Sequence, residues 1–176
     1  LGPDRPVYLT ADDAAEQLAG CEQDYARLVK TGAGTVLLMK KNNTPIHKIL
    51  IQDGTVLMGM TDGLGTKGVN LDGGALAIQA GLTNSISGPL ALTADSAIKL
   101  AVGSKILIDD SSSETWADGA RLTITGDPAT SAISFGDADG LTAAQLKQIR
   151  WNGKRVELDE DGCLKQYIPG EAIIVR

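Results

Sequence analysis

Short apolar stretches of four or five residues, interrupted by glycine-bearing turns, run through the middle of this chain. Apolar and polar positions alternate in Lys48-Ile49-Leu50-Ile51, Val69-Asn70-Leu71, Leu90-Ala91-Leu92-Thr93, Lys105-Ile106-Leu107-Ile108 and Arg121-Leu122-Thr123-Ile124-Thr125. A period of two marks a strand with one buried face. Ala75-Leu76-Ala77-Ile78 and Ile98-Lys99-Leu100-Ala101-Val102 continue the series. Between them stand Asp53-Gly54, Asp62-Gly63, Asp72-Gly73-Gly74, Gly88-Pro89, Gly103-Ser104 and Asp118-Gly119, all with turn chemistry. One phrase is stated twice: Gly34-Thr35-Val36-Leu37-Leu38 returns 20 residues later as Gly54-Thr55-Val56-Leu57-Met58. That spacing is one coil of a stacked repeat, and such a coil cannot bury its apolar face without neighbours. The pattern predicts an all-β solenoid, a parallel β-helix with short capping helices. Val36, Leu38, Ile49, Ile51, Val56, Leu71, Leu76, Ile78, Leu90, Leu92, Ile106, Ile108, Leu122 and Ile124 are expected inward. A β-sandwich is the rival, since regularly spaced short strands suit it too.

Two segments depart from the period of two. Thr10 to Ala19 has helix chemistry, with Thr10 as a cap, acids in the first turn and Gly20 as a stop. Leu141 to Ile149 is the second helical segment, with Thr142 and Gln145 at capping-box spacing and Leu141, Leu146 and Ile149 on one face. Arg150 to Leu158 reads as a hairpin turning at Asn152-Gly153, and Ile173-Ile174-Val175 as a last strand. The chain thus divides into an N-terminal capping segment (1–27), solenoid coils (28–136) and a closing module (137–176), together one compact domain. Helices at the two ends would cover the open strand edges.

Composition strengthens the solenoid. Aromatic residues make up 3% and Phe135 is the sole phenylalanine, whereas sandwich and barrel cores are usually filled with rings. The net charge of −6 excludes nucleic acid as a partner, because that needs a Lys/Arg footprint. Net charge does not draw acidic glycans either, though a local basic patch would. No run of 18 apolar residues occurs, so no transmembrane helix is expected. The opening Leu1-Gly2-Pro3-Asp4 has no signal-peptide character, which a mature N-terminus would also lack. Cys21 and Cys163 stand too far apart for a CxxC pair; two separate thiols or a disulfide in an exported protein both fit.

A family resemblance rests on the closing residues. Ile133-Ser134-Phe135-Gly136, Gly140-Leu141-Thr142-Ala143-Ala144-Gln145-Leu146-Lys147-Gln148-Ile149, Asn152-Gly153 and Leu158-Asp159-Glu160-Asp161-Gly162-Cys163-Leu164 look like the closing module of secreted bacterial proteins built from autotransporter-associated β-strand repeats. Leu28, Lys30-Thr31-Gly32-Ala33-Gly34-Thr35, Asn43, Gly54-Thr55 and Leu57 resemble the repeat itself. The resemblance implies a right-handed parallel β-helix passenger, exported to the outer cell envelope or beyond. The sequence shows neither a translocator barrel nor a C-terminal hydrophobic sorting tail. A freely secreted or periplasmic protein is therefore the expectation.

Catalytic chemistry is thin. His47 is the only histidine, so neither a multi-His metal site nor a Ser or Cys triad based on it has local support. Carboxylates are the abundant alternative. Asp109 and Asp110 are adjacent, and mutual repulsion could raise one pKa and give an acid–base pair. Leu92-Thr93-Ala94-Asp95-Ser96-Ala97 is an imperfect echo of the aspartic-protease turn, with Ala97 in place of glycine. Asp95, Asp109 and Asp110 are thus the candidate catalytic residues of a hydrolase reading, an aspartic-type protease acting on glycoprotein such as mucin, with one copy per chain requiring a homodimer. Asp137-Ala138-Asp139-Gly140 and Asp159-Glu160-Asp161-Gly162 lack the twelfth-position ligand of a calcium loop and read as turns. Trp116 and Trp151 could stack on sugar rings if exposed, or fill the core. No cofactor and no metal are implied. The favoured expectation is a secreted or surface module with a structural or adhesive role, bound to a glycoprotein, a polysaccharide or its own copy.

Overall fold

The computed structural model describes residues 7–9, 27–39, 48–61 and 67–167. The N-terminal helix, Cys21, Asn43, His47 and the last strand expected from the sequence lie outside them. The chain winds in coils. After β1 (Val7–Leu9) come β2 (Arg27–Lys30) with β3 (Thr35–Leu38), then β4 (Lys48–Ile51) with β5 (Thr55–Met58). Three-strand coils follow: β6 (Val69–Asp72), β7 (Ala75–Ile78) and β8 (Thr83–Ile86), then β9 (Leu90–Ala94), β10 (Ser96–Leu100) and β11 (Lys105–Ile108). The last coil carries β12 (Leu122–Thr125) and β13 (Ala132–Phe135). It leads to a short helix α1 (Ala143–Gln148) and to β14 (Ile149–Trp151), β15 (Val156–Leu158) and β16 (Leu164–Gln166).

Equivalent strands stack in parallel into three sheets. The first has the order β1-β3-β5-β7-β10-β12-β14, the second β2-β4-β6-β9 and the third β13-β11-β8. This is the expected β-solenoid rather than the sandwich. Inward positions of the first sheet are in direct register: Val36, Val56, Leu76, Ile98, Ile124 and Trp151. The successive steps are therefore 20, 20, 22, 26 and 27 residues. Of the fourteen side chains expected inward, all are buried except Val36 and Leu38, which lie half-buried nearest the start of the stack.

The tight coil spacing leaves no room for a side chain at the repeated glycine. A Cβ on Gly54, whose φ is +66°, would run into the carbonyl oxygens of Gly34 and Gly32 one coil back. Beside it, Lys30 occupies the row of Ile51 and Leu71 and is buried. Its ammonium donates to the carbonyls of Thr31, Gly32 and Asp53, so the charge is used to satisfy the turn backbone.

The closing end is built differently. The edge of β9 is met by the segment after β11: Leu90 N–H donates to Ser111 Oγ (2.9 Å), Ala117 N–H to Leu92 O (2.8 Å) and the Trp116 indole to Leu90 O (3.0 Å). Helix α1 pins that segment. Gln145 is buried and donates to the carbonyls of Ser111 and Glu114, while Gln148 donates to those of Ala117 and Ala120. The predicted capping box forms, with Thr142 Oγ1 accepting from Gln145 N–H and Gln145 Oε1 accepting from Thr142 N–H. β15 and β16 form an antiparallel pair that covers the end of the stack; Phe135 N–H donates to Gly162 O and Gln166 Nε2 to Trp151 O.

Two sequence expectations need correction, and one strand had no counterpart among them. The Asn152-Gly153 turn is present, with φ of +48° and +79° and Trp151 bridged to Lys154, but its arms do not form one hairpin. β14 instead joins the parallel sheet and β15 pairs with β16, because the last coil offers β14 an open edge. β10 starts at Ser96, ahead of the expected Ile98. β8 shows no apolar alternation at all: its Asn84 occupies the inward position facing Ile106.

Trp151 is buried against the last coil and its indole donates to Gly126 O, whereas Leu146 is only partly buried. Trp151→Ala should therefore destabilise by about 3–5 kcal/mol, the range for truncating a fully buried large ring, and Leu146→Ala by markedly less. Urea unfolding midpoints of the two variants check the order. Equal losses would show that α1 bears as much of the closure as β14.

Candidate functional site

The three sequence-predicted carboxylates are not brought together at one corner. Asp95 sits in the turn from β9 to β10, between the second and first sheets, and Asp109 and Asp110 follow β11 at the end of the third-sheet strand. All three are exposed. Asp95 Oδ1 accepts the backbone N–H of Arg121 at 2.7 Å, tying its turn to the next coil. Asp110 Oδ1 accepts the Ser112 N–H at 2.7 Å. The Ser112 hydroxyl and then its backbone N–H hold the Asp110 carboxyl below the usual carboxylate range. In a pair of acids that share a proton, the one that keeps it is displaced the other way.

The acid-rich turns behave as turns. Asp137 Oδ1 accepts from Asp139 N–H, and Asp159 Oδ1 accepts from Asp161 and Cys163 N–H, the local bonds that make such sequences bend. The Asp159 carboxyl is held low, first by the Lys165 ammonium, whose nitrogen lies 2.7 Å away. Cys163 is a free, half-buried thiol pushed up by burial and then by the neighbouring Asp159 and Asp161. Trp116 and Trp151 are buried, so neither offers a ring to a sugar.

What does gather residues is a groove over the outer side of the first sheet. Its volume is about 590 Å³. It is lined by the same positions of consecutive coils: Asp53, Gly54 and Thr55; Gly73, Gly74 and Ala75; Asp95, Ser96 and Ala97; and Arg121 and Thr123, with Lys99 and Ala33 beside them. The floor follows from register, because Thr55, Ala75, Ala97 and Thr123 stand directly above one another. Two alanines between two threonines make the outer surface shallow where a larger row would fill it. Three strand spacings give the floor a length of about 14 Å. Asp53 and Asp95 share the lining with Lys99 and Arg121, so the groove is polar and of mixed sign.

The sequence reading placed Asp95 but missed Asp53, Lys99, Arg121 and Thr123. The signal was available in part: carrying the Gly-Thr phrase forward by one more coil reaches Gly74-Ala75. The lengthened steps beyond that point hide the alignment of Ser96-Ala97 and Arg121-Thr123 from a fixed 20-residue repeat. Beside the groove, Thr93 Oγ1 donates to Asp72 Oδ1 at 2.8 Å and Gln52 Nε2 to Asp72 Oδ2 at 3.1 Å, a polar ladder across three coils. Comparisons with protein-family models, with curated proteins and with solved structures returned no match.

The ladder makes stability depend on acid. The Thr93 hydroxyl, and after it the Gln52 amide, hold the Asp72 carboxyl below its usual range, as neighbours do for Asp110 and Asp159. For a carboxyl depressed in the folded state, the unfolded chain takes up the proton first, at about pH 4. Its stabilisation is therefore complete above that pH and is lost as pH falls through the lower folded values. The thermal midpoint should drop as the pH is lowered from about 5 toward 2, and less steeply in Asp72→Asn. A midpoint indifferent to pH in that window would show that these bonds are not kept in solution.

Proposed function

We propose that the chain is a secreted or surface-exposed bacterial β-solenoid module with a structural and adhesive role, holding an extended polar chain of a glycoprotein or polysaccharide in the groove over β5, β7, β10 and β12. The observation that carries this reading is the groove's construction from one position repeated in consecutive coils. A repeated surface suits a repeated ligand, because each coil can offer the same contact to the next unit. The resemblance of the closing residues to autotransporter-associated repeat proteins supports an exported setting. The hydrolase reading gains no comparable support, since Asp95 lies on a different corner from Asp109 and Asp110.

The groove makes a direct test. Ala97 is half-buried on its floor, and Ala97→Trp would fill it from outside without entering the core. Purified protein should bind immobilised mucin-type glycoprotein or a neutral polysaccharide, and Ala97→Trp should lose that binding while keeping the β-type circular dichroism and thermal midpoint. Undiminished binding by the folded variant would remove the groove from the account. Cleavage of the glycoprotein by the wild type would overturn the non-catalytic reading.

A further inference from the structure

A second concavity, of about 320 Å³, lies at the closing end, where Arg150 stands in register beside Thr123, the last residue of the groove floor. It is lined by Leu146 and Lys147 of α1, Arg150 of β14, and Arg155 and Val156 at the start of β15. Of these five described lining residues three are cations and none is an acid. That is unexpected in a chain with 16 basic and 22 acidic residues. Three like charges around one concavity repel, and an anion between them removes the cost.

Among the described residues these cations are not consumed by ion pairs. The ion pair found among the described residues is Lys165 with Asp159, and it excludes all three. Arg150 is held in place, with Nη1 donating to Lys147 O (2.8 Å) and Ile149 O (2.6 Å). These two bonds fix one side of the guanidinium and leave Nε and Nη2 to reach a ligand. Lys147 and Arg155 are exposed and make no side-chain bond among the described residues. Beneath them Val156 is buried and Leu146 packs against the core, so the floor is apolar.

We propose that this pocket binds the carboxylate of an acidic sugar, a uronate unit within a polysaccharide. The Arg150 fork, already held, pairs with the carboxylate, and Arg155 and Lys147 add charge around it. The C–H face of the sugar ring lies over Leu146 and Val156. A pocket of this volume is at the small end of ligand sites and suits one ring and its acid group. A dense polyphosphate is disfavoured, because the footprint ends at three cations and the rest of the molecule is acidic. The site adjoins the end of the groove through Arg150 but shares no lining residue with it and does not rest on the groove reading.

The test uses an octasaccharide of hyaluronan, with a uronate in every second ring, and the same oligosaccharide with its carboxyls reduced to alcohols. Both are titrated by calorimetry at low salt into the wild type, into Lys147→Gln/Arg155→Gln and into Ala97→Trp. The native oligosaccharide should bind the wild type and Ala97→Trp alike. The double variant should bind at least about tenfold more weakly, the loss expected when charged hydrogen-bond donors are removed. The reduced oligosaccharide should not bind. Thermal midpoints confirm folding of the double variant, whose two altered side chains are exposed. The pocket is excluded if the wild type does not bind, if the double variant binds equally, or if the reduced form binds as well as the native one. Binding of inorganic sulfate without any oligosaccharide binding would show an anion site with no place for the sugar, and would overturn the proposal too. Loss of binding in Ala97→Trp alone would place the polysaccharide in the groove, sinking this proposal while keeping the groove reading.

Discussion

Every coil of this molecule is incomplete without the next. A strand of four residues offers one row of apolar side chains and two open edges, and only a parallel neighbour in direct register satisfies both. Register is therefore the constraint that organises the structure. It sets Val56 on Val36 and Leu76 on Val56, and it also sets what lies outside. The outward row must repeat as strictly as the inward one, because a slip of one residue would turn both over. A continuous groove is the consequence of placing small residues at one outward position in adjacent coils.

The same constraint makes the ends of the stack the most demanding places. Propagation needs only backbone and aliphatic side chains, but termination has to satisfy edges with no further coil. The closing end does so with side chains that bond to backbone: Ser111 and Trp116 on β9, Gln145 and Gln148 on the segment that covers it, Gln166 on β14. Polar side chains thus concentrate where the repeat stops. Gln145 is buried because its amide is fully engaged, by Thr142 on one side and two carbonyls on the other.

This explains which parts could be read from the sequence. The coils were legible because the period of two and the Gly-Thr phrase are local, and local patterns survive in a one-dimensional stack. Twelve of the fourteen expected inward residues are buried, and the Thr142–Gln145 capping box is formed as written. β8 was not legible, because Asn84 takes an inward place that a hydrophobic pattern reserves for an aliphatic residue. The fate of the Asn152-Gly153 turn was not legible either. A turn signal is local, but whether its arms pair with each other depends on the open edge left by β12, which is 25 or more residues away in sequence. The candidate acids suffered from the same limit. Asp95 and Asp110 carry suggestive neighbours in sequence, yet each carboxylate bonds to backbone within or beside its own turn.

The lengthening of successive steps from 20 to 27 residues links closure to surface chemistry. A 20-residue coil is used up by strands and tight turns, and its outside is a copy of its neighbour. The extra residues of the later coils form the segment around Ser111 to Ala120 and the helix α1, neither of which repeats anything before it. Non-repeating structure is where side chains from different elements can converge. Lys147, Arg150 and Arg155 come from a helix, a parallel strand and the approach to an antiparallel pair, and no run of identical coils could bring such elements together. A solenoid of this kind has two types of surface, a periodic one along its length and a unique one at its closure. In the two readings proposed, the first surface takes a long ligand and the second takes a single acidic group.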